Sequence, residues 1–407
     1  MSRARRPRVC VIRQAPVTLD PRVRREVRAL AGAGYEVDVI CLRHGGEPRR
    51  ARDGRLTYYR LPLPARRPRS AAGYVVHYGV FFLTAMLLSG LLHARRRYDV
   101  VQVHSLPDPL VFAAIIPRLF GAKVVLDLHE AMVEFFTTKF GVAADSRSAR
   151  LVAAAEQASI RFADFAFTCT KEMRDAMISR GADPGRIGVV LNASEEDIFD
   201  VARHPPRGGG HGRYVVLCHG SVEERYGIDT GIRAVALLRD EIPNLHLRIV
   251  GSGSYLDEAE RLARELGVEA HVSFSGDWVP MGELLEEIAG CDVGLVAMKV
   301  DAFRDLTHCN KMYDLVTMRR PVLMSRTRSV EAYFGEDCFA YFEGDDPQDL
   351  ARAMRALHAD RERAARLVER AAVTLEPYRW PIQRDHYVGL IAALMAPGNP
   401  PPQAGAQ

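Results

Sequence analysis

The stretch VARHPPRGGGHGR, residues 201–213, divides the chain into two series of short apolar runs. Proline and glycine replace apolar residues after its first two positions, which is typical of a linker or hinge. Before the stretch, β-branched runs alternate with helical patterns at residues 9–12, 37–41, 100–104, 123–127, 165–168 and 188–191. After it, a second series follows at residues 215–218, 245–250, 272–274, 293–296, 322–325 and 339–342. Each series predicts βαβ units around a parallel sheet.

The sequence therefore predicts an α/β protein made of two doubly wound, Rossmann-like domains. We expect these segments along the chain: an N-terminal domain over residues 1–200, the linker over 201–213, a C-terminal domain over 214–375, a last helix over 376–396 and a disordered tail rich in proline and glycine over 397–407. Two such domains facing each other form a cleft, and ligands of these sheets bind beyond the carboxyl ends of the strands. Functional residues are therefore expected in the loops that follow the strands.

Composition limits the class of protein further. With 407 residues, of which 48% are hydrophobic and 26% charged, the chain exceeds what one core usually supports and is neither disordered nor fibrous. Its seven scattered cysteines include no CxxC pair, which argues against a disulfide framework and a zinc knuckle and favours a reducing compartment. The apolar stretch after the basic start, residues 9–12, is too short for a secretory signal, so a cytoplasmic location is expected.

Residues 1–100 are strongly basic, with 21 arginines against seven acidic residues. Between the arginines at positions 66, 67 and 69 and those at 95–97 lies the apolar run YVVHYGVFFLTAMLLSGLL, residues 74–92. Three placements are open for this run. It could span a bilayer, for which it is nearly long enough, form a core helix, or lie in the headgroup layer of an anionic membrane. Its two glycines, His77 and Ser89 argue against a spanning helix, and the flanking arginines favour a core helix that also docks on a membrane surface. Nucleic acid is not expected as a partner, because the arginines flank aliphatic residues instead of alternating with aromatic ones.

The loop after the first strand leads into a predicted helix. Asp20 is a suitable N-cap and Pro21 suits the first helical position. Arg22 and Arg25 then fall in the first turns, where the helix dipole disfavours cations. Their position predicts an anion nearby.

The strand at residues 123–127 runs directly into His129 and Glu130. A neutral imidazole donates or accepts a hydrogen bond and a carboxylate accepts one, so both suit sugar hydroxyls. The alternatives are a hydrogen-bonded loop network and a metal pair. No partner ligands at metal spacing appear elsewhere in the sequence.

Two glycine-containing loops follow the first strands of the second domain. Gly251 and Gly253 form a Gly-x-Gly turn that opens a helix, whose exposed N–H groups suit a phosphate. Leu256 stands in place of the third glycine of a dinucleotide fingerprint, which argues against NAD binding by this motif. In the preceding loop, Gly220 permits a close backbone approach and Arg225 supplies a positive charge.

The segment THCNKMYDLVTMRRPVLMS, residues 307–325, is the most informative for chemistry. Asn310 can cap a helix, Lys311 falls in the first turn and Asp314 follows three residues later on the same face. An ammonium at this place can neutralise a diphosphate, and a neighbouring carboxylate can accept two hydrogen bonds from a ribose diol. The alternative is an ordinary surface ion pair between Lys311 and Asp314.

Taken together, these motifs resemble glycosyltransferase family 4, which has the GT-B fold, over nearly all of residues 8–395. The resemblance is carried by residues that match the family's patterns in order: Asp20, Pro21, Arg22, Val23, Arg25 and Glu26, then Asp127, His129 and Glu130, then Val190, Asn192 and Ala193, then Lys311, Asp314, Pro321 and Val322, and finally Trp380 and Tyr387.

The resemblance implies a hexosyltransferase that moves a sugar from a UDP- or GDP-type nucleotide sugar with retention of configuration and no obligatory metal. It implies donor binding in the second domain, with Asp314 on the ribose, Lys311 and Arg225 on the diphosphate, and Gly220, Gly251, Gly253 and Asn310 in the same site. In the first domain it implies His129 and Glu130 as catalytic residues and Asp20, Arg22 and Arg25 on the acceptor side. The acceptor is expected to be a polysaccharide or a lipid-linked glycan at the inner face of the plasma membrane.

Several positions depart from the family pattern. The first glutamate of its Glu-x7-Glu element falls at Leu306, its usual Arg and Lys after the second domain's first strand fall on Ser221 and Tyr226, and its glycine before Pro-Val is Arg319. A catalytically degenerate GT-B protein, acting as a sugar-nucleotide-binding or partner subunit, is therefore the alternative function. A nicotinamide-dependent oxidoreductase shares the doubly wound pattern but needs the glycine fingerprint that this chain lacks.

Overall fold

The computed structural model describes residues 5–64, 71–208 and 212–396. The predicted tail 397–407, the arginines at 66, 67 and 69 and positions 209–211 of the predicted linker lie outside these residues. The chain divides into two compact units, one formed by Met1–Leu191 with Pro381–Gln407 and the other by Asn192–Trp380. The first unit ends earlier than the predicted boundary at residue 200, and the predicted linker falls within the second unit.

The first unit is built on a parallel sheet. Its strands in the described residues are β1 (Arg8–Ile12), β2 (Glu36–Leu42), β3 (Arg50–Asp53), β4 (Leu56–Leu61), β5 (Val100–His104), β6 (Lys123–Leu128), β7 (Phe165–Thr168) and β8 (Ile187–Val189). Their order is β3-β4-β2-β1-β5-β6-β7-β8, and the β3–β4 pair is antiparallel. The sequence predicted all of these strands except β3 and β4, whose polar side chains interrupt the apolar pattern.

Helices cover this sheet. Those before the second unit are α1 (Pro21–Gly32), α2 (Ala71–Arg96), α3 (Ile115–Leu119), α4 (Met132–Phe140), α5 (Arg147–Phe162) and α6 (Lys171–Ser179). Helix α1 begins where the sequence predicts, because Asp20 caps it by accepting a 3.2 Å hydrogen bond from the Val23 amide. Val23, Val27 and Leu30 form its buried face.

Helix α2 contains the apolar run and has two different faces. Phe81, Ala85 and Ser89 are fully buried, and the Ser89 hydroxyl donates to the Ala113 carbonyl at 3.1 Å. The other face leaves a row of aliphatic side chains exposed: Val76, Val80, Leu83, Leu87 and Leu91. Among the described residues, Gly73–Arg96 is the one helix long and apolar enough to cross a membrane, and 28% of its apolar window is buried. The helix therefore packs on the core of the first unit along one side.

The second unit has the strand order of a dinucleotide-binding sheet. Its described strands are β9 (Tyr214–His219), β10 (Leu245–Val250), β11 (Val272–Phe274), β12 (Val293–Val296), β13 (Val322–Ser325) and β14 (Ala340–Phe342), all parallel in the order β11-β10-β9-β12-β13-β14. Its helices are α7 (Ile228–Leu238), α8 (Leu256–Glu265), α9 (Met281–Gly290), α10 (Asn310–Thr317), α11 (Arg328–Tyr333), α12 (Pro347–Ala359) and α13 (Arg361–Leu375). The fold class is thus α/β with two parallel-sheet units, as predicted.

The last helix, α14 (Trp380–Met395), belongs to the first unit from Pro381 onward. Tyr387 is fully buried there and donates a 2.6 Å hydrogen bond to Oε1 of Gln102. The helix starts later than the predicted 376, because Glu376–Tyr378 forms a separate 3-10 turn. All seven cysteines are buried free thiols, so the sequence correctly excluded a disulfide framework.

Candidate active site

Adjacent strand ends in the first unit bring three ligand-type side chains together. His104 closes β5 beside Asp127 of β6, and His129 follows β6 directly. The Asp127 carboxylate lies 2.8 Å from His104 Nδ1 and 3.2 Å from His129 Nε2. His104 was not predicted as a site residue, although its position at the end of a strand next to 123–127 could have indicated it. Glu130 follows His129 but is not part of this group of three.

The anion predicted beside Arg22 is a carboxylate of the protein itself. Arg22 donates from Nε and Nη2 to the two oxygens of Asp127 at 2.9 Å each, and its Nη1 donates to the Val190 carbonyl at 3.0 Å. Glu26 lies 3.2 Å from its Nε. Arg22 is thus neutralised internally, and the anion predicted nearby is Asp127. Arg25 is buried as well.

Burial and nearby charges shift the pKa values of several groups in and beside this cluster. Burial, with the nearby positive charge of Arg13, lowers the pKa of His129 to about 4. Burial alone would raise the pKa of Asp127, but the Arg22 guanidinium outweighs it and holds that pKa well below its usual range. Asp20 behaves similarly, since Arg13 overcomes the effect of burial and lowers its pKa to about 2. Near neutral pH the His129 imidazole is therefore uncharged, and Asp127 is an anion paired with Arg22.

The three side chains also lie within metal-binding range of one another. One ligand atom from each of His104, Asp127 and His129 falls within 4.8 Å of the others, so the fold supplies the third ligand that the sequence spacing did not reveal. Both oxygens of Asp127 already accept from Arg22, however. The described contacts therefore match the hydrogen-bonded network that the sequence left open as an alternative.

In the second unit the glycine loops after β9 and β10 pack against each other. The Gly220 amide donates to the Val250 carbonyl at 2.8 Å, and the Val222 amide donates to the Ser252 carbonyl at 3.0 Å. A Cβ at Gly251 would overlap the carbonyl oxygen of Gly220, and one at Gly253 would overlap that of Val222. The close backbone approach predicted for these glycines therefore occurs between the backbones of the two loops themselves.

Lys311 crosses directly over one of these loops. A Cβ at Gly220, where φ is +95°, would lie 2.8 Å from Lys311 Cε. The Lys311 ammonium lies 4.3 Å from the centre of the Tyr226 ring, and the guanidinium carbons of Arg225 and Arg304 each lie 5.3 Å from the same centre. We call Lys311, Arg225 and Arg304 around this ring the Tyr226 cation cluster. Arg304 was not predicted, since no sequence pattern links it to the glycine loops.

Asn310 and Asp314, the other two predicted site residues of α10, differ in their surroundings. Cys309 is the N-cap of α10 and no side chain caps it, so Asn310 is an exposed first helical residue and the prediction that it caps the helix is wrong. Asp314 accepts a 2.7 Å hydrogen bond from the Ser194 hydroxyl. Within the described residues Lys311 and Asp314 form no ion pair, which argues against the simple surface-pair alternative.

Two further residues of the second unit, His219 and Arg319, are informative. His219 at the end of β9 is 4% exposed, and burial together with the charge of Lys311 lowers its pKa to about 3, so its imidazole is neutral. Arg319, at the position where the resembling family has glycine, has φ of +53°. That left-handed conformation favours glycine, the residue that the resembling family has at this position.

Comparisons with known proteins agree with this architecture. The family model described as "Glycosyl transferase 4-like domain" matches residues 18–193, and the model described as "Glycosyl transferases group 1" matches residues 204–374. A GDP-mannose-dependent alpha-(1-6)-phosphatidylinositol monomannoside mannosyltransferase of Mycolicibacterium smegmatis is 32% identical over 167 residues, which is 40% of this chain and 44% of that protein. The chain spans about half the length of the curated relatives it matches.

Solved structures extend the likeness to almost the whole chain. Sucrose-phosphate synthase from Thermosynechococcus elongatus superimposes with a TM-score of 0.75 at 19% identity, covering 96% of this chain and 99% of that one. HepE from Anabaena, in complex with UDP and glucose, gives a TM-score of 0.68 at 13% identity, covering 95% and 99%. Since the two family models match in tandem, one on each unit, the chain belongs to the family 4-like glycosyltransferases of the GT-B fold.

Proposed function

We propose that the protein transfers a hexosyl group from a nucleotide diphosphate sugar to a glycan or lipid-linked acceptor, with retention of anomeric configuration. The observation that carries the proposal is the Lys311 ammonium lying across Gly220, at the carboxyl end of the sheet of the second unit. No carboxylate among the described residues lies within 4.0 Å of this nitrogen. A diphosphate would supply the missing negative charge. The likeness to proteins named as GDP-mannose-dependent or crystallised with UDP supports this class of donor.

The charges that develop during sugar transfer suit the cationic side chains of the Tyr226 cation cluster. When the bond between the anomeric carbon and the phosphate oxygen breaks, positive charge develops on the sugar and negative charge on the departing diphosphate. Fixed cations near the diphosphate stabilise that transition state more than the ground state. We therefore propose that transfer needs no divalent metal and persists in EDTA. Asp314 remains our predicted ribose ligand, and His129 with Glu130 our predicted catalytic residues on the first unit.

The test is a transfer assay with a panel of UDP- and GDP-sugars and candidate lipid-linked acceptors. We expect Lys311→Ala to lower transfer by about 10- to 100-fold, as for loss of a hydrogen bond to a charged group. Lys299→Ala is the matched control, because the Lys299 ammonium in the same unit is already paired with Asp229 at 3.2 Å. Equal transfer by the Lys311 variant and the natural protein would defeat the residue assignment.

The alternative function is a degenerate GT-B protein that binds a sugar nucleotide or a partner enzyme without turnover. The altered family positions Leu306, Ser221 and Tyr226 motivate it. Calorimetry distinguishes the two, since a nucleoside diphosphate that binds without any transfer points to the partner subunit.

We further propose that the exposed row on α2 rests on an anionic membrane at the inner face of the plasma membrane. Val76, Leu83 and Leu87 are 63%, 53% and 57% exposed on one side of the helix. The helix ends at Arg96, and the exposed Arg95 and Arg97 on either side of that residue carry charge that suits anionic headgroups. The buried face of the same helix supports a position on the membrane instead of across it.

Vesicle flotation tests this surface. Leu83→Glu with Leu87→Glu is expected to abolish binding to phosphatidylglycerol-containing vesicles while leaving transfer to a soluble acceptor unchanged. Leu151→Glu on α5, at a leucine that is 71% exposed, is the control and should still bind. Retention of the double variant on the vesicles, or resistance of the natural protein to alkaline carbonate extraction, would contradict the proposal.

A further inference from the structure

Arg304 is a buried cation that forms no ion pair with any carboxylate in the described part of the chain. It lies in the 3-10 turn Arg304–Leu306 that precedes α10, and it is 7% exposed. Its Nε has no hydrogen-bond partner among the described residues. Its guanidinium carbon lies 4.9 Å from the Phe303 ring centre and 5.3 Å from that of Tyr226. Asp301 accepts a 2.8 Å hydrogen bond from the Arg304 backbone amide, but within the described residues no carboxylate pairs with its guanidinium, which instead lies against the two rings.

Arg326 in the same unit also lies on a tyrosine ring, but its charge is neutralised by carboxylates. Its guanidinium carbon lies 4.9 Å from the Tyr341 ring centre. It also forms ion pairs with Glu331, Glu336 and Glu343. The ring contact is therefore similar for both arginines, and the carboxylates are what Arg304 lacks.

The positive charge around Tyr226 is not limited to Arg304. The distances from the ring to Lys311 and Arg304 put these two charges within about 10 Å of each other, comparable to the screening length at 0.1 M salt. Within the described residues neither has a carboxylate partner within 4.0 Å. His219, whose buried Nε2 also lacks a hydrogen-bond partner there, is neutral and adds no compensating charge. Unpaired buried charges are costly, so this arrangement suits an anion that comes from outside the protein.

We propose that Arg304 is a binding residue for the diphosphate group of the nucleotide sugar, and that Tyr226 holds Lys311 and Arg304 beside it. This inference rests on the proposed function and adds a residue to the same site. A guanidinium presents a planar fork that bonds two phosphate oxygens together, whereas an ammonium acts as a point charge. Arg304 therefore supplies the directional contact and Lys311 the central charge.

The free protein should also respond to the loss of Arg304. If Arg304 serves an external anion, its unpaired charge destabilises the unliganded state. Replacing it by methionine should then leave the melting temperature of the unliganded protein unchanged or raise it. If Arg304 instead stabilised the fold, replacing it by methionine would lower that melting temperature.

The experiment measures binding of inorganic pyrophosphate, UDP and GDP to the full chain by calorimetry, together with melting curves. We expect Arg304→Met to weaken pyrophosphate binding by about 10- to 100-fold, and to weaken UDP or GDP binding in parallel. Arg304→Lys keeps the charge but loses the fork, and should bind about 3- to 10-fold more weakly than the natural protein. Arg326→Met is the matched control and should bind normally.

Each result is decisive. Normal pyrophosphate affinity in Arg304→Met, or weaker affinity together with a lower melting temperature of the unliganded variant, overturns the role of Arg304 while leaving the proposed function intact. If the natural chain binds none of the three ligands, the donor site itself is wrong and both proposals fail. If Arg304→Met does not fold, Arg304→Lys decides, since normal affinity in that variant contradicts the need for the fork.

Discussion

Arg22 in the first unit and Arg304 in the second are both buried, at 5% and 7% exposure, yet their charges are balanced in different ways. Arg22 meets both oxygens of Asp127 at 2.9 Å. Arg304 meets aromatic rings and, within the described residues, no carboxylate. A buried arginine by itself therefore does not mark a ligand site. The location of the counterion separates a structural cluster from a binding one.

The largest effect is expected from removing the internal counterion of Arg22. Asp127→Asn removes the carboxylate that accepts from both Nε and Nη2 of buried Arg22 and leaves Glu26, 3.2 Å from Nε, as its remaining acidic neighbour. Breaking a buried ion pair costs about 3–5 kcal/mol. We expect the free energy of unfolding of the first unit to fall by that amount in urea denaturation. The double variant Arg22→Met with Asp127→Leu should recover most of the loss, because an apolar pair of similar volume is often neutral. A loss below about 1 kcal/mol for Asp127→Asn would mean that Arg22 is not held by this carboxylate.

A second effect concerns the neutral histidine of the same cluster. The pKa of His129 is about 4 in the folded state, mainly because of burial, against about 6.5 in the unfolded chain. The unfolded chain takes up the proton first as pH falls. The contribution of His129 to stability is therefore fully present above about pH 6.5 and is lost by about 1.4 kcal/mol per pH unit between there and pH 4.

The measurement is urea denaturation at several pH values for the natural protein and for His129→Gln. The difference between the two isolates His129 from the other groups of the cluster, and the variant should lose the steeper part of the slope. Parallel curves for the two proteins would show that His129 is already protonated or exposed in the native state. Such a result would also weaken the contrast between the two units.

The sequence predicted the strands whose apolar runs are short and continuous, and it predicted the start of α1 from Asp20 and Pro21. It missed β3 and β4, since arginine and tyrosine side chains on these strands hide the alternation. It misplaced the cap of α10 by one residue, because the backbone of the preceding turn, not the propensity of asparagine, decides where a helix begins.

The site residues were harder to predict than the fold for a physical reason. Gly220 and His129 lie directly after β9 and β6, as predicted, and Lys311 lies in the first turn of α10. The ion-pair partners of the predicted residues could not be identified from the sequence, because, for example, Arg22 and Asp127 are 105 positions apart in the chain. Which cation receives an internal counterion depends on such long-range contacts. A single sequence without covariation does not reveal them.

The smallest effect is expected at Tyr226, and it tests whether the ring stabilises the cations in the free protein. A cation on an aromatic face contributes about 0.5–1 kcal/mol at partly exposed sites. Tyr226→Leu should therefore lower the free energy of unfolding of the second unit by about that much, while Tyr226→Phe, which keeps the ring, should not. Saturating pyrophosphate should reduce the difference between the leucine variant and the natural protein, because the anion then takes over the role of the ring. If Tyr226→Phe lost as much as Tyr226→Leu, the hydroxyl and not the ring would be responsible, and the Tyr226 cation cluster would need another source of stabilisation.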